Sequence, residues 1–275
     1  MTAPATDGDG QLALTGPILV TGASGGIGQA ITRALAARGA RLILTGRRAD
    51  QLDELAREVG ARALVCDLAQ REAVNRLARE AARIEVDVLI ANAALPASGL
   101  VTELTQAQID RMLDVNLRAP VALARALMPG MIRRRRGHLV FISSLSGKGA
   151  SPASAVYSAT KFGLRGFALA IREDLRPHGV GASVVLPGFI RTAGMFAETD
   201  VVLPWGVGTR SPQDVAAGVI RAIEDNRAEV DVAPLAMRWG ASLASVAPAL
   251  AAAMSRRMGS ERIAVGLAES QRDKR

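Results

Sequence analysis

The chain of 275 residues contains a single tyrosine, Tyr157. Lys161 follows four residues later, and Ser144 precedes it in a separate segment. Two side chains four apart on a helix share one face. A free phenol titrates near about 10, too high for an efficient base at neutral pH. A neighbouring ammonium favours the phenolate and lowers that value, so Lys161 could tune Tyr157 while also bonding a cofactor ribose. A serine hydroxyl just past a strand could hold a substrate oxygen. Such a trio suits proton transfer to or from a carbonyl or alcohol oxygen while hydride moves at the adjoining carbon. A bare Tyr-x-x-x-Lys pair is a weak pattern. It gains weight from a second constellation upstream.

That constellation spans residues 17–38. An apolar run, Ile18-Leu19-Val20, leads into Thr21-Gly22-Ala23-Ser24-Gly25-Gly26-Ile27-Gly28. Ile27, Ile31 and Leu35 then recur at helical spacing, and Gly39 stands where a left-handed cap is expected. A strand, a glycine turn and a helix together present backbone N–H groups and a helix N-terminus to a pyrophosphate. A side chain at Gly22, Gly26 or Gly28 would block the turn, the phosphate approach or the packing of helix on strand. The spacing is Gly-x-x-x-Gly-x-Gly, and the plain alternative is a glycine-rich loop.

The elements needed to position these groups can be read along the chain. Apolar runs at 18–20, 41–45, 62–66, 86–90, 138–143, 180–186 and 229–232 read as strands. Helical patterns at 49–59, 70–83, 154–176 and after Ser211-Pro212 separate them, with one long helix starting at a Thr105/Gln108 capping box and running through Asn116 and Met128. This alternation predicts an α/β fold: a doubly wound, mostly parallel sheet of about seven strands with helices on both faces. Its core must be Ala, Val, Leu and Ile, because apolar residues make up 49% of the chain and aromatics 3%. We read one domain over 15–234, a disordered tail over 1–14 and a helical extension over 235–275. Gly22, Gly46-Arg47, Asp67, Asn92, Ser144 and Pro187-Gly188 each follow a strand. In an open α/β sheet that places six segments around one crevice.

Composition narrows the function classes. The net charge of +8, from 34 basic and 26 acidic residues, favours anionic partners such as a cofactor phosphate. Arg133-Arg134-Arg135-Arg136 ends a helical pattern without interleaved aromatics, so it reads as a cationic helix end and not as a nucleic-acid patch. Cys66, the one cysteine, lies in an apolar run and reads as a small buried residue. His138 and His178 have no partner at metal-ligand spacing, and no metal site is expected. Residues 1–10 lack the basic start and apolar core of a secretory leader, and a cytoplasmic protein is expected.

With those residues in hand, the chain resembles the short-chain dehydrogenase/reductase family from about Gly16 to Pro234. The glycine turn, Ile142-Ser143-Ser144, Tyr157-Ser158-Ala159-Thr160-Lys161 and Pro187-Gly188-Phe189-Ile190-Arg191-Thr192 carry the resemblance. It implies that Tyr157 is the general acid/base, that Lys161 lowers its pKa and holds the nicotinamide ribose, and that Ser144 orients the substrate oxygen. Asn116, which by residue type alone is a helix-interior polar group, would hold a water in a proton relay through Lys161. The dinucleotide would be held by Gly22, Ser24, Gly26, Ile27 and Gly28, by Arg47, by Asp67 (at the adenine amino group) and Leu68, and by Asn92 and Ala93. Tyr157, Lys161, Pro187, Gly188, Ile190 and Thr192 would complete the site, the last four at the nicotinamide carboxamide. At Ala91-Asn92-Ala93-Ala94 the chain departs from the family's usual Asn-Asn-Ala-Gly, which alters packing beside the cofactor.

The second strand ends Thr45-Gly46-Arg47-Arg48 with no carboxylate. An acid there would bond the ribose hydroxyls and repel a 2′-phosphate, whereas Arg47 can fork onto one. The reading is NADP(H) over NAD(H). Apolar residues within 189–210, including Met195, Phe196, Leu203 and Trp205, mark a lid over a greasy substrate or a subunit contact. The run 239–254 has no charge but is too short to span a bilayer and is interrupted by Pro248. Packing across a subunit interface is preferred for it over contact with a membrane surface. Small residues on the two long helices, Ala159, Gly163, Gly166 and Ala168 among them, together with the resemblance, imply a homodimer or homotetramer. The main reading is an NADP-dependent oxidoreductase of a carbonyl or secondary alcohol. A non-catalytic NADP(H)-binding module is the alternative, and a Ser-Lys hydrolase would leave the glycine turn unexplained.

Overall fold

Leucine, isoleucine and valine fill the strands, and in a parallel sheet covered on both faces every such side chain can be buried. In the computed structural model, which describes residue 14 and residues 16–96, 99–193 and 208–257, that is the outcome. Strands β1 (Pro17–Thr21), β4 (Val88–Ala91), β5 (His138–Ile142) and β6 (Gly181–Pro187) are buried throughout. With β2 (Arg41–Gly46), β3 (Arg62–Val65) and β7 (Glu229–Val232) they form one seven-stranded parallel sheet, ordered β3-β2-β1-β4-β5-β6-β7. The order reverses between β1 and β4, and the crevice of such a sheet opens there.

Successive strand residues point to opposite faces. Leu19 and Leu89 join a core with helices α3 (Arg71–Arg83), α5 (Ala119–Arg134) and α6 (Ala155–Leu175). Ile18, Val20 and Ile90 join the opposite core with α1 (Gly26–Ala36), α2 (Ala49–Val59) and α7 (Pro212–Glu224). Gly60 caps α2 at φ +66°, and Ser211 and Asp214 close a capping box at α7. The Thr105/Gln108 capping box starts α4 (Gln106–Leu113).

The long helix expected from Thr105 is not continuous. Residues Asp114–Arg118 form a π turn between α4 and α5. In an α-helix the carbonyl of Asn116 would accept from the N–H of residue 120, but residue 120 is a proline and has none to give. The extra residue of the π turn sits at that mismatch. Residues 235–257 form two helices, α8 (Leu235–Val246) and α9 (Pro248–Arg257), parted at Pro248. The tail reading falls outside the described residues except at Leu14, which is buried. Most of the 189–210 lid reading (194–207) and the end of the extension (258–275) also fall outside them.

The arginine run is less solvated than its sequence suggested. Arg136 donates to Asp87 at 2.8 Å, and Arg134 reaches Asp87 and the carbonyl of Val86. Arg135 ends α5 in a left-handed cap. Cys66 is buried, which pushes its thiol up to about 11.

On β5 the buried His138 places Nε2 2.8 Å from Ser183 Oγ. Burial, with Arg172 adding to it, pushes its imidazole down to about 3. The unfolded chain takes up that proton near 6.5, so between pH 6.5 and about 3 the unfolded state binds more protons. Stability must fall as pH drops through that window, by up to about 1.4 kcal/mol per pH unit. His138→Leu should lack this slope. Chemical denaturation at pH 7.5, 6 and 5 checks it: the unfolding free energy of wild type minus that of the variant should fall steadily toward pH 5.

Candidate active site

Ser144 leaves the end of β5, and two bonds tie this strand end to α6. The Lys161 ammonium donates to the carbonyl of Ile142 at 2.9 Å, and Ser143 Oγ donates to the carbonyl of Lys161 at 2.9 Å. The Tyr157 hydroxyl is thereby brought near the side chain of Ser144, whose hydroxyl favours its phenolate. Ser144 Oγ also accepts from the N–H of Ser146 at 3.1 Å. Lys161 Nζ lies 5.5 Å from the centre of the tyrosine ring. Leu104 and Met112 pack against that ring.

The three groups predicted to act together are therefore together, but one electrostatic expectation is corrected. Burial pushes the phenol of Tyr157 up to about 12, and the nearby Ser144 hydroxyl only partly opposes it. Burial also pushes Lys161 down to about 8. Among the protein's own groups desolvation outweighs the pull of the ammonium, whose nearest fixed partner is the Ile142 carbonyl.

Asn116 sits in the π turn, fully buried. Its Oδ1 accepts from the N–H of Leu95 at 2.7 Å and its Nδ2 donates to the carbonyl of Leu95 at 3.0 Å. The side-chain amide is thus spent on the loop after β4.

The glycine turn is set by close approach. Gly22 has φ +64°, and a Cβ there would lie 2.7 Å from Cα of Ala93. A Cβ at Gly28 would lie 2.2 Å from the carbonyl oxygen of Gly22. Thr21 Oγ1 accepts from the N–H groups of Asn92 and Ala93, and the Asn92 amide donates to the carbonyls of Thr21 and Gly22. No side chain caps α1, and no acidic residue occupies its first turn. Ser24 is buried beside it, and Ile27 packs into the core. A turn kept open in this way, with free helix N–H groups, fits the pyrophosphate of a dinucleotide.

Arg47 is exposed at the end of β2. Arg48 behaves differently from a solvated neighbour, because its guanidinium donates to the carbonyl of Ser24 at 2.8 Å. Asp67 accepts from the N–H of Ala69 at 3.1 Å, and Leu68 is buried. After β6, Gly188 N–H bonds the Val232 carbonyl and Ile190 is buried. Thr192 has φ +63°. That is costly for a β-branched residue, and such strain concentrates at ligand-binding segments. Pro187 ends β6.

A family model for short chain dehydrogenases matches residues 17–200. The chain is a short-chain dehydrogenase/reductase. It is 35% identical over 254 residues to dehydrogenase/reductase SDR family member 7B of Xenopus laevis, covering 85% of this chain and 78% of the relative. It is 36% identical over 227 residues to the ketoacyl reductase HetN of Nostoc sp., covering 80% and 79%. A short-chain dehydrogenase from Sphingobium yanoikuyae in complex with NADPH superposes with a TM-score of 0.75 at 26% identity, covering 89% of this chain and 95% of that one. This short-chain dehydrogenase/reductase is an oxidoreductase acting on CH–OH and C=O groups of small molecules with a nicotinamide cofactor.

One residue of the site region carried no readable signal. Lys148, four residues past Ser144, is buried and donates to both oxygens of Asp231 at 2.8 and 3.0 Å. It also pairs with Glu229 at 3.1 Å, which Arg165 of α6 bonds as well. Burial alone would raise Glu229, but these two cations together hold it below the usual carboxylate range. The network binds the loop after Ser144 to β7 and α6. Nothing in sequence joins residues 148, 165, 229 and 231, so only the folded sheet reveals it. Lys148→Met should cost about 3 kcal/mol, because a buried carboxylate loses its partner. Adding Asp231→Asn should restore part of the loss. Denaturant melts of the single and double variants measure both.

Proposed function

We propose that this enzyme is an NADP(H)-dependent carbonyl reductase or alcohol dehydrogenase of an apolar substrate, with Tyr157 as its general acid/base. The observation that carries this reading is that the bonds from Lys161 and Ser143 join the end of β5 to α6, which brings Ser144 beside Tyr157 with Lys161 buried one helical turn away. The substrate oxygen would take its place between the two hydroxyls. Ser144 donates to it and fixes its direction. The nicotinamide supplies or accepts the hydride. Tyr157 gives its proton to the carbonyl oxygen as hydride arrives, or removes it from an alcohol as hydride leaves. A phenol raised to about 12 holds its proton until that oxygen becomes basic. The phenolate then formed is stabilised by the nearby ammonium, and Lys161, lowered toward 8, passes a proton inward more readily than a free lysine.

Asn116 enters differently from the first reading. Its amide is engaged with Leu95, so a relay water would be held by a main-chain carbonyl of the π turn, such as that of Asn116, which Pro120 leaves without its α-helical donor. The cofactor contacts proposed are the glycine turn, Asp67 and Leu68, Asn92 and Ala93, and the Pro187–Thr192 segment. Asn92 acts by holding the turn in shape. The apolar packing of Leu104 and Met112 on Tyr157 supports a carbonyl borne on an apolar group, and one relative bears the name ketoacyl reductase.

Tyr157→Phe should keep fold and cofactor binding and lose turnover by roughly 10²-fold or more, since general acid–base catalysis contributes on that order. A screen of ketones and alcohols that follows NADPH absorbance supplies the assay. Undiminished turnover in the variant would overturn the assignment, and no turnover in wild type would favour the non-catalytic binder.

The choice of NADP(H) is supported by Arg47 and by the missing acid at Gly46. Arg48 strengthens the site by fastening the turn from the same loop. Arg47→Ala should weaken NADPH by roughly tenfold to a hundredfold, about 1.5–3 kcal/mol, and leave NADH nearly unchanged. Gly46→Asp should act in the opposite sense; its added Cβ would lie 3.1 Å from the Ser24 hydroxyl and 3.7 Å from Leu52 Cδ1. Titration of both coenzymes decides it, and equal losses in Arg47→Ala would make that arginine structural.

A homodimer or homotetramer is proposed through α4, α5 and α6. Ala159, Gly163 and Gly166 share an exposed face of α6. Ala168, grouped with them on sequence, instead points into the core. Light scattering at micromolar concentration should give a multiple of the 28.7 kDa chain mass.

A further inference from the structure

Helices α8 and α9 are turned inside out relative to ordinary surface helices. The inner face of α8 is small and apolar: Met237 and Ala241 pack on the main core, and Ala244 lies against Gly149. Ser245 Oγ reaches the carbonyl of Lys148 at 3.1 Å, which fastens the helix to the loop after Ser144. The outer face should then be polar. It instead carries Leu235, Trp239 and Val246, spaced by four and seven residues along one stripe and exposed by 64%, 72% and 86%. On α9, Leu250 and Met254 continue it, one turn apart and also exposed.

The charges on this segment all have one sign. Residues 235–257 contain Arg238, Arg256 and Arg257 and no Asp or Glu. Arg238 and Arg256 are exposed. Among the described residues no helix is long and apolar enough to cross a membrane. An apolar stripe on helices whose own charges are all cationic, with Arg238 partly engaged by Asp231 at 4.0 Å, matches an anionic lipid surface, into which it would sink to headgroup depth while arginines meet the phosphates. A twofold interface formed by this face would bring the exposed Arg238 and Arg256 of two copies into one patch of like charge.

We propose that α8 and α9 dock this enzyme onto anionic lipid surfaces. This replaces the preference for subunit packing formed on the sequence, where the direction of the stripe could not be known. Because α8 is fastened to the loop after Ser144 by its inner face, the docked helix itself touches that loop. The docking itself does not depend on the proposed acid/base or coenzyme roles.

The test uses the full chain and vesicles of phosphatidylcholine, with or without 30 mol% phosphatidylglycerol as the chosen probe. The expected result is co-sedimentation with the anionic vesicles only. In a Trp205→Phe background, Trp239 emission should shift to the blue on binding. Trp239→Glu/Leu250→Glu should abolish binding without changing the melting temperature or the molecular mass. Arg256→Gln/Arg257→Gln should weaken it by roughly tenfold or more, since each basic residue near an anionic surface is worth about fivefold. No sedimentation with anionic vesicles would overturn the proposal. So would equal binding to pure phosphatidylcholine, or a fall in molecular mass in Trp239→Glu/Leu250→Glu, which would assign the face to a second copy.

Discussion

The seam between β1 and β4 is the constraint on which the rest depends. Gly22 and Ala93 approach so closely that no Cβ fits at residue 22. A single hydroxyl, that of Thr21, accepts two backbone N–H groups across the seam, and the Asn92 amide returns two bonds to the carbonyls of Thr21 and Gly22. The seam lies where the strand order reverses, so it shapes the crevice at its narrowest point. It also explains how Ala can stand at 91 and 94, where the family usually has Asn and Gly. Asn92 and Ala93 make the contacts that matter, and Ala91 is simply buried strand.

The catalytic candidates are organised by burial and not by charge attraction. Placing Tyr157 and Lys161 out of water raises one to about 12 and lowers the other to about 8, which moves apart two proton affinities that are nearly equal in free solution. Two hydrogen bonds from β5 hold the helix that bears them, so their positions follow from the sheet. On the far side of the crevice, Asn116 is held by a defect in a helix. Pro120 disturbs the regular ladder, and the resulting π turn directs the Asn116 amide onto Leu95. A residue that looked like an ordinary helix-interior polar group becomes a clamp.

The loop after Ser144 receives support from two directions. Lys148 ties it to β7 through paired carboxylates, and α8 leans on it through Ser245 and Ala244. A loop that must present one hydroxyl at a fixed place is thereby coupled to the edge of the sheet and to the C-terminal helices. The outward apolar stripe lies on the face of α8 opposite this loop. Surface association and presentation of the substrate oxygen share the same structural element.

The sequence by itself determined the order and kind of the main elements, the glycine turn, the Ser144–Tyr157–Lys161 set and the lack of an acid after β2. These features are local: a period of 3.6, a capping pair, a Gly where φ is positive, a Tyr and Lys four apart. The tertiary structure decided what depends on distant residues meeting. The rise of the Tyr157 phenol depends on how deeply α6 is covered. The use of Asn116 depends on Leu95 coming to lie beside the π turn. Lys148 finds Asp231 only because β5, β6 and β7 align. Arg48 reaches Ser24 only because β1 and β2 pair. The stripe on α8 faces outward because Ala244 fits against Gly149 and Met237 against Gly188, and no pattern within the helix itself says which side will be buried. Spacing along the chain sets which side chains share a face; only packing sets what that face meets and how much water remains there.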